Sequence, residues 1–159
     1  ITGTARGLTQ KMGEIICMLN PVNDTLDSLA AYLKEYVFLT TDGLHLDVMT
    51  DFPEQIPSVK LSHEKRRQLL LVTREALHNA LKHSKATQLT FAMDVQPNGF
   101  QFLISDNGTG FESTEKKPVN GKHNGLKNMQ WRMHQINGFF TVESETNKGT
   151  TIIYGLQND

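Results

Sequence analysis

The chain has 159 residues, with 16 lysines and arginines against 17 aspartates and glutamates. The resulting charge of −1 argues against a large polyanion such as nucleic acid as its partner. That length suffices for one domain with a real core, no apolar run reaches membrane-spanning length, and the single cysteine, Cys17, excludes an internal disulfide framework and fits a reducing compartment.

In chain order, GLTQKMGEIICMLN places Leu8, Met12, Ile15, Ile16 and Leu19 at helical spacing, and Pro21 should end that helix. DTLDSLAAYLKEYVFL carries Leu26, Leu29, Ala30, Leu33, Tyr36 and Val37 on one face of a second helix, with Asp24 placed to cap it. LHLDVMTDF alternates as a strand does, and Pro53 and Pro57 mark the loop after it. SHEKRRQLLLVTREALHNALKHS reads as a long helix with Ser62 as its N-cap. Strands at 88–95 and 100–105 form a hairpin that turns at Asn98-Gly99. A helix over 125–136 ends at Asn137-Gly138, where glycine suits the left-handed position past a helix end. Strands at 139–144 and 150–156 complete the pattern, which has no internal repeat. This order predicts an α+β sandwich with its helices on one face of the sheet.

The chemistry-bearing residues fall in three places. On the long helix, Ala76, Leu77, Ala80 and Leu81 continue an apolar face begun by Leu69 and Leu70, while Glu75, Asn79, Lys82 and His83 cluster on the other side. Such a cluster is most often a solvated face. This one also holds a carboxylate, an amide oxygen able to ligate a hard cation, and two groups able to face phosphate. Next comes DNGTGF, in which Asp106 is either an Asx-turn residue or a carboxylate at a pocket edge that accepts from a ligand amine. Gly108 and Gly110 would let the backbone approach that ligand. The tight turn at Asn107-Gly108 has no returning strand; the polar run TEKKPVNGKHNG follows instead. Third, Asn124-Gly125 opens a helix, and a helix N-terminus suits phosphate. The polar run between the two glycine pairs has the composition of a lid or of a plain flexible loop. NKGTTI reads as a loop between strands. His45, His63, His78, His123 and His134 show no metal-ligand spacing. Trp131 and Met133 read as packing residues.

Taken together and in order, these elements resemble the GHKL ATP-binding superfamily of gyrase, heat-shock chaperone ATPases, sensor histidine kinases and mismatch-repair ATPases. REALHNALKH resembles its N box, DNGTGF its first glycine box, GKHNGLKNM its second and GTT its terminal Gly-Thr element, over about 62–156. Within the superfamily, MGEIICMLNPVNDTLDSLAAYLKEY resembles the junction between dimerisation helix and catalytic domain in sensor histidine kinases of the nitrate-sensor and lipid-sensor type. His123 departs from the second box, where glycine is frequent, and there is no separate phenylalanine-rich box.

The resemblance implies a two-layer α+β sandwich of the GHKL (Bergerat) type: a mixed, mostly antiparallel sheet, helices on one face, and an ATP lid. Residues 1–20 would be a stub of the dimerisation hairpin and 21–159 the catalytic ATP-binding domain. ATP and Mg²⁺ would be its cofactors. Glu75 would orient or activate the acceptor, and Asn79 would give an oxygen to Mg²⁺. Lys82 and His83 would lie near phosphate or ribose. Asp106 would accept from the adenine amino group, with Gly108 and Gly110 shaping the pocket. Asn124, Gly125 and Leu126 would meet the phosphates, and Thr150 would support the adenine pocket. The implied activity is transfer of the ATP γ-phosphoryl group to a histidine on a dimerisation domain, for relay to a response regulator.

No histidine here sits in an acceptor setting, so the acceptor is expected upstream of Ile1. The chain begins with isoleucine and reads as a piece of a longer protein. The piece is expected to be cytoplasmic and mostly monomeric, with the parent free to be anchored in the inner membrane. A GHKL protein-serine kinase of the anti-sigma-factor type and a non-catalytic nucleotide-binding module remain the alternatives. A gyrase-like ATPase is disfavoured because this chain contains no transducer domain.

Overall fold

The computed structural model describes residue 7 and residues 24–82, 85–112 and 124–158. The expected first helix, the proposed stub apart from Gly7, Cys17, His83 and the polar run at 113–123 with His123 lie outside the described residues.

Helix α1 is Leu26–Thr41 and buries the predicted stripe of Leu26, Leu29, Ala30, Leu33, Tyr36 and Val37. Its cap is Thr25 rather than Asp24, and Thr25 makes no capping bond through its side chain. The reason is tertiary. The Asp24 carbonyl accepts from Leu61 N–H at 2.7 Å and Leu26 N–H donates to the Val59 carbonyl at 2.8 Å, so residues 24–26 are drawn into an extended pairing with 59–61. Strand β1, Asp47–Asp51, follows. Helix α2, His63–Lys82, starts as expected: the Ser62 hydroxyl accepts from Lys65 N–H at 3.2 Å.

Strands β2, Gln88–Gln96, and β3, Gly99–Asp106, form the expected hairpin, but its turn sits one residue earlier than expected. Gln96 pairs with Gly99, so Pro97 and Asn98 are the central residues, and neither has a positive φ. Proline at the first central position presets that turn. Gly99 is needed for another reason: a Cβ there would stand 2.2 Å from the Leu156 carbonyl oxygen on the neighbouring strand.

Helix α3, Asn124–Gln135, ends on Gly138 N–H bonded to the Met133 carbonyl and Asn137 N–H to that of His134. This is the Schellman closure, with Asn137 and not Gly138 in the left-handed position at φ 54°. Gly138 serves close packing instead, since a Cβ would meet Met133 Cε at 2.6 Å. Met129 and Met133 are buried on α3, whereas Trp131 is 57 % exposed and does not pack.

Strands β4, Phe139–Glu145, and β5, Gly149–Gln157, complete one sheet of order β1-β2-β3-β5-β4. β1 runs parallel to β2 and the other pairs are antiparallel. The three helices among the described residues cover one face, with α2 central over β3 and β5, α1 towards β1 and α3 towards β4. The core between the layers holds Leu69, Leu77, Phe91, Phe102, Met129 and Tyr154. Phe91, Phe102 and Tyr154 lie ring against ring across three adjacent strands, at centroid distances of 6.0 and 5.7 Å. Such ring pairs add about 0.5–1.5 kcal/mol each beyond area burial. Among the described residues, no helix is long and apolar enough to cross a membrane.

Candidate nucleotide site

Strand periodicity sets the site. On β3, Phe100, Phe102, Ile104 and Asp106 share the inward face, and on β5 so do Thr150, Ile152, Tyr154 and Leu156. Asp106 and Thr150 are register partners. The core face therefore ends in two polar residues side by side. Asp106 is 9 % exposed, and burial pushes its carboxyl above the usual carboxylate range, against opposing hydrogen bonds from the Gly108 and Thr150 N–H groups. One oxygen, Oδ1, accepts from Gly108 N–H at 2.9 Å. The two sequence readings of Asp106 are thus compatible: one oxygen closes an Asx-turn, and the carboxylate still lies on the inner face.

The glycines around it have distinct reasons. Gly110 has φ 59°, and a Cβ there would stand 2.2 Å from the Glu145 carbonyl oxygen. Gly149, at φ 98°, would bring a Cβ to 1.9 Å from the Asp106 carbonyl oxygen. Gly108 is buried behind the carboxylate. Asn107 turns outward, and its Oδ1 accepts from the N–H groups of Thr87 and Gln88 at 2.9 Å each. This is why the Asn-Gly turn has no returning strand. Asn107 is spent fastening the start of β2, and the chain crosses instead towards the β4–β5 turn, where Asn147 N–H donates to the Thr109 carbonyl at 2.7 Å.

The helix layer brings the second group. α2 and α3 are antiparallel neighbours: Arg132 donates to Gln68 at 3.1 Å, and Gly125 lies against Glu75 and Asn79. A Cβ on residue 125 would stand 2.5 Å from Glu75 Oε1 and 3.5 Å from Asn79 Nδ2. Two residues of the polar side of α2 are therefore not simply solvated: Glu75 and Asn79 are half-buried under the first turn of α3, and a carboxylate there suits the positive end of a helix. Leu126 is half-buried against the core in the same turn. Lys82 is exposed in the last turn of α2, and His83 and the Asn124 side chain lie outside the described residues.

Both groups belong to one end of the domain. Residues 83–87 alone connect α2 to β2, whose second residue, Leu89, pairs with Asp106. Five residues reach at most about 18 Å. α3 leads into β4 at the opposite end, where Phe139 pairs with Gly155, so its N-terminus points back to the Asp106–Thr150 end. On the solvent side of the helix layer, Glu75 also lines a cleft of about 510 Å³ with Tyr36, His78, Leu81, Asn128 and Arg132; Asp106 is not part of it.

Sequence reasoning missed Ser144. Its hydroxyl accepts from Phe111 N–H at 2.8 Å, bonds with Thr150 Oγ1 at 2.8 Å and donates to the Gly149 carbonyl at 3.1 Å. The signal was present: Phe140, Val142 and Ser144 share one face of β4, so a polar residue stands in core phase at the strand end.

Residues 64–158 match the family model described as histidine kinase-, DNA gyrase B-, and HSP90-like ATPase. The signal transduction histidine-protein kinase/phosphatase DegS of Brevibacillus brevis is 31 % identical over 132 residues, 83 % of this chain and 31 % of that protein. Sensor protein VraS of Staphylococcus epidermidis is 32 % identical over 143 residues, 89 % of this chain and 39 % of that protein. The chain spans about a third of the length of these curated relatives. Among solved structures, the histidine kinase domain of the Erythrobacter litoralis blue-light activated histidine kinase superposes with a TM-score of 0.64 at 18 % identity, covering 81 % of this chain and 60 % of that one.

Proposed function

Because the chain belongs to the family of histidine kinase-, DNA gyrase B-, and HSP90-like ATPases, we propose that it is the ATP-binding catalytic domain of a two-component sensor histidine kinase. It transfers the ATP γ-phosphoryl group to a histidine on a dimerisation domain of the same parent, for relay to a response regulator. Residues 21–159 form the catalytic unit and 1–20 the end of the dimerisation hairpin. The observation that carries this reading is the meeting of Gly125 with Glu75 and Asn79 at the sheet end that holds Asp106 and Thr150.

Each group has a place in the transfer. Asp106 accepts from the exocyclic amine of the base, with Gly108 and Gly110 keeping the floor free of side chains. Lys82 and the first turn of α3, at Asn124, Gly125 and Leu126, supply positive charge to the phosphates. Glu75 faces both that turn and the outer cleft, so it orients an imidazole arriving from the cleft towards the phosphoryl group. Asn79 fits Mg²⁺ as a single protein oxygen, for Mg²⁺ keeps several waters and takes much of its coordination from phosphates. When bound, that ion neutralises charge between the phosphates. Phosphoryl transfer asks little more of a protein than position and charge, which suits so small a set of groups.

The test combines labelled ATP, this domain and the parent's dimerisation hairpin. Acid-labile label on the hairpin is expected, at a slow rate because the tether is cut. Asn79→Ala should weaken Mg²⁺-dependent ATP binding, while Glu75→Ala should keep binding and lose transfer. Acid-stable label on a serine would overturn the reading in favour of a protein-serine kinase.

A further inference from the structure

We propose that Ser144 is a positioning residue of the nucleotide site: it holds the Thr150 hydroxyl proton away from the pocket, so the base end of the site offers hydrogen-bond acceptors only. A hydroxyl has one proton to donate and two lone pairs to accept with. All three Ser144 contacts are made at once only if its proton goes to the Gly149 carbonyl, a pure acceptor at 3.1 Å, while one lone pair takes Phe111 N–H at 2.8 Å. In the 2.8 Å contact between Ser144 Oγ and Thr150 Oγ1, Thr150 must then be the donor. Its oxygen can only accept from anything else.

Next to it, in register on β3, lies the Asp106 carboxylate, also an acceptor. Thr150 and Asp106 thus present matching lone pairs on the inner face at the strand ends. A ligand edge bearing an amino group fits them, directly or through a water. One bearing a carbonyl there leaves buried acceptors facing each other. Ser144 also ties the chain just past Gly110 to the β4–β5 hairpin, so the same hydroxyl sets the floor and its polarity.

This inference rests on the nucleotide reading above, and one experiment separates the two. Affinities for ATP and for inosine triphosphate, which carries a carbonyl in place of the amine, are measured on the wild type, Ser144→Ala, Ser144→Cys and Ser144→Thr. The wild type should prefer ATP by about tenfold or more, the discrimination expected of a hydrogen bond to a charged group. In Ser144→Ala the Thr150 hydroxyl is free to turn and donate, so the preference should fall about fivefold, the worth of one neutral hydrogen bond. Ser144→Thr should restore it. Ser144→Cys keeps the volume with weak bonding and should behave as Ser144→Ala, which covers a fold failure of the alanine variant. A merely structural role predicts parallel loss of both nucleotides at an unchanged ratio, and that result would overturn the inference alone. A wild type that binds neither nucleotide would overturn the nucleotide reading itself.

Discussion

The phenol of Tyr154 meets the hydroxyl of Thr73 in a hydrogen bond closed off from solvent between β5 and α2, with both residues 0 % exposed. Thr73 donates its own proton to the Leu69 carbonyl at 2.8 Å, so Tyr154 is the donor to Thr73. Burial pushes the phenol's pKa far up, and it stays protonated. This bond ties α2, the helix that carries Glu75 and Asn79, to β5. Thr73→Val strands a buried phenol proton and should cost about 1–3 kcal/mol. Tyr154→Phe leaves only a lone pair unused and should cost about 0.5–1.5 kcal/mol. Chemical denaturation of the two variants checks the order; equal losses would contradict the assignment of the donor.

Asp106 should weigh against stability while serving the site. Its pKa is raised in the folded state by burial, so the folded protein binds the extra proton between the unfolded value near 3.9 and the raised native one. Stability therefore falls as pH rises through that window and is level above it. Asp106→Asn should match the wild type below about pH 3.9 and gain on it progressively through the window, while losing adenine nucleotide binding at neutral pH. Denaturant unfolding across pH, paired with nucleotide titration, reads both; a variant less stable at neutral pH than in acid, relative to wild type, would refute it.

Three glycines with positive φ separate strain from collision. Gly43, at φ 78°, has open space around it: a Cβ added there would meet nothing within 4 Å, so Gly43→Ala should cost only about 1–2 kcal/mol. Gly110 and Gly149 add backbone oxygens at 2.2 and 1.9 Å to a similar strain. Their alanine variants should lose clearly more stability than Gly43→Ala and should disturb the carboxylate of Asp106. Melting curves of the three variants check this, and a Gly149→Ala loss no larger than that of Gly43→Ala would count against the observed close approach.

Trp131, the sole tryptophan, stands 57 % exposed on α3 within two turns of Gly125. Its emission should be that of a solvated indole and should be quenched readily by acrylamide. Protected, blue-shifted emission in the free domain would show that α3 is covered on that side.

What the order of residues determined was the set of elements and the grouping of the chemistry. Periods of 3.6 and 2 are local, so the stripe from Leu26 to Val37, the α2 apolar face and the strands around Phe102 and Tyr154 were legible, and Ser62 capped α2 as expected. Motif order pointed to the ATPase family before any fold was known. What only tertiary structure decided involves partners distant in sequence. Asp24 lost its capping role because residues 59–61 claimed its backbone. Gly99 and Gly138 are glycines because another strand or side chain passes within a Cβ's reach, and at Gly149 such an approach is added to a positive φ. Glu75 and Asn79 stopped being a solvated face when the first turn of α3 closed over them. Ser144 acquired a role only once three strand ends met. Propensity and periodicity are properties of one segment, whereas close approach, burial of a polar face and the direction of a hydroxyl proton depend on two or more segments at once.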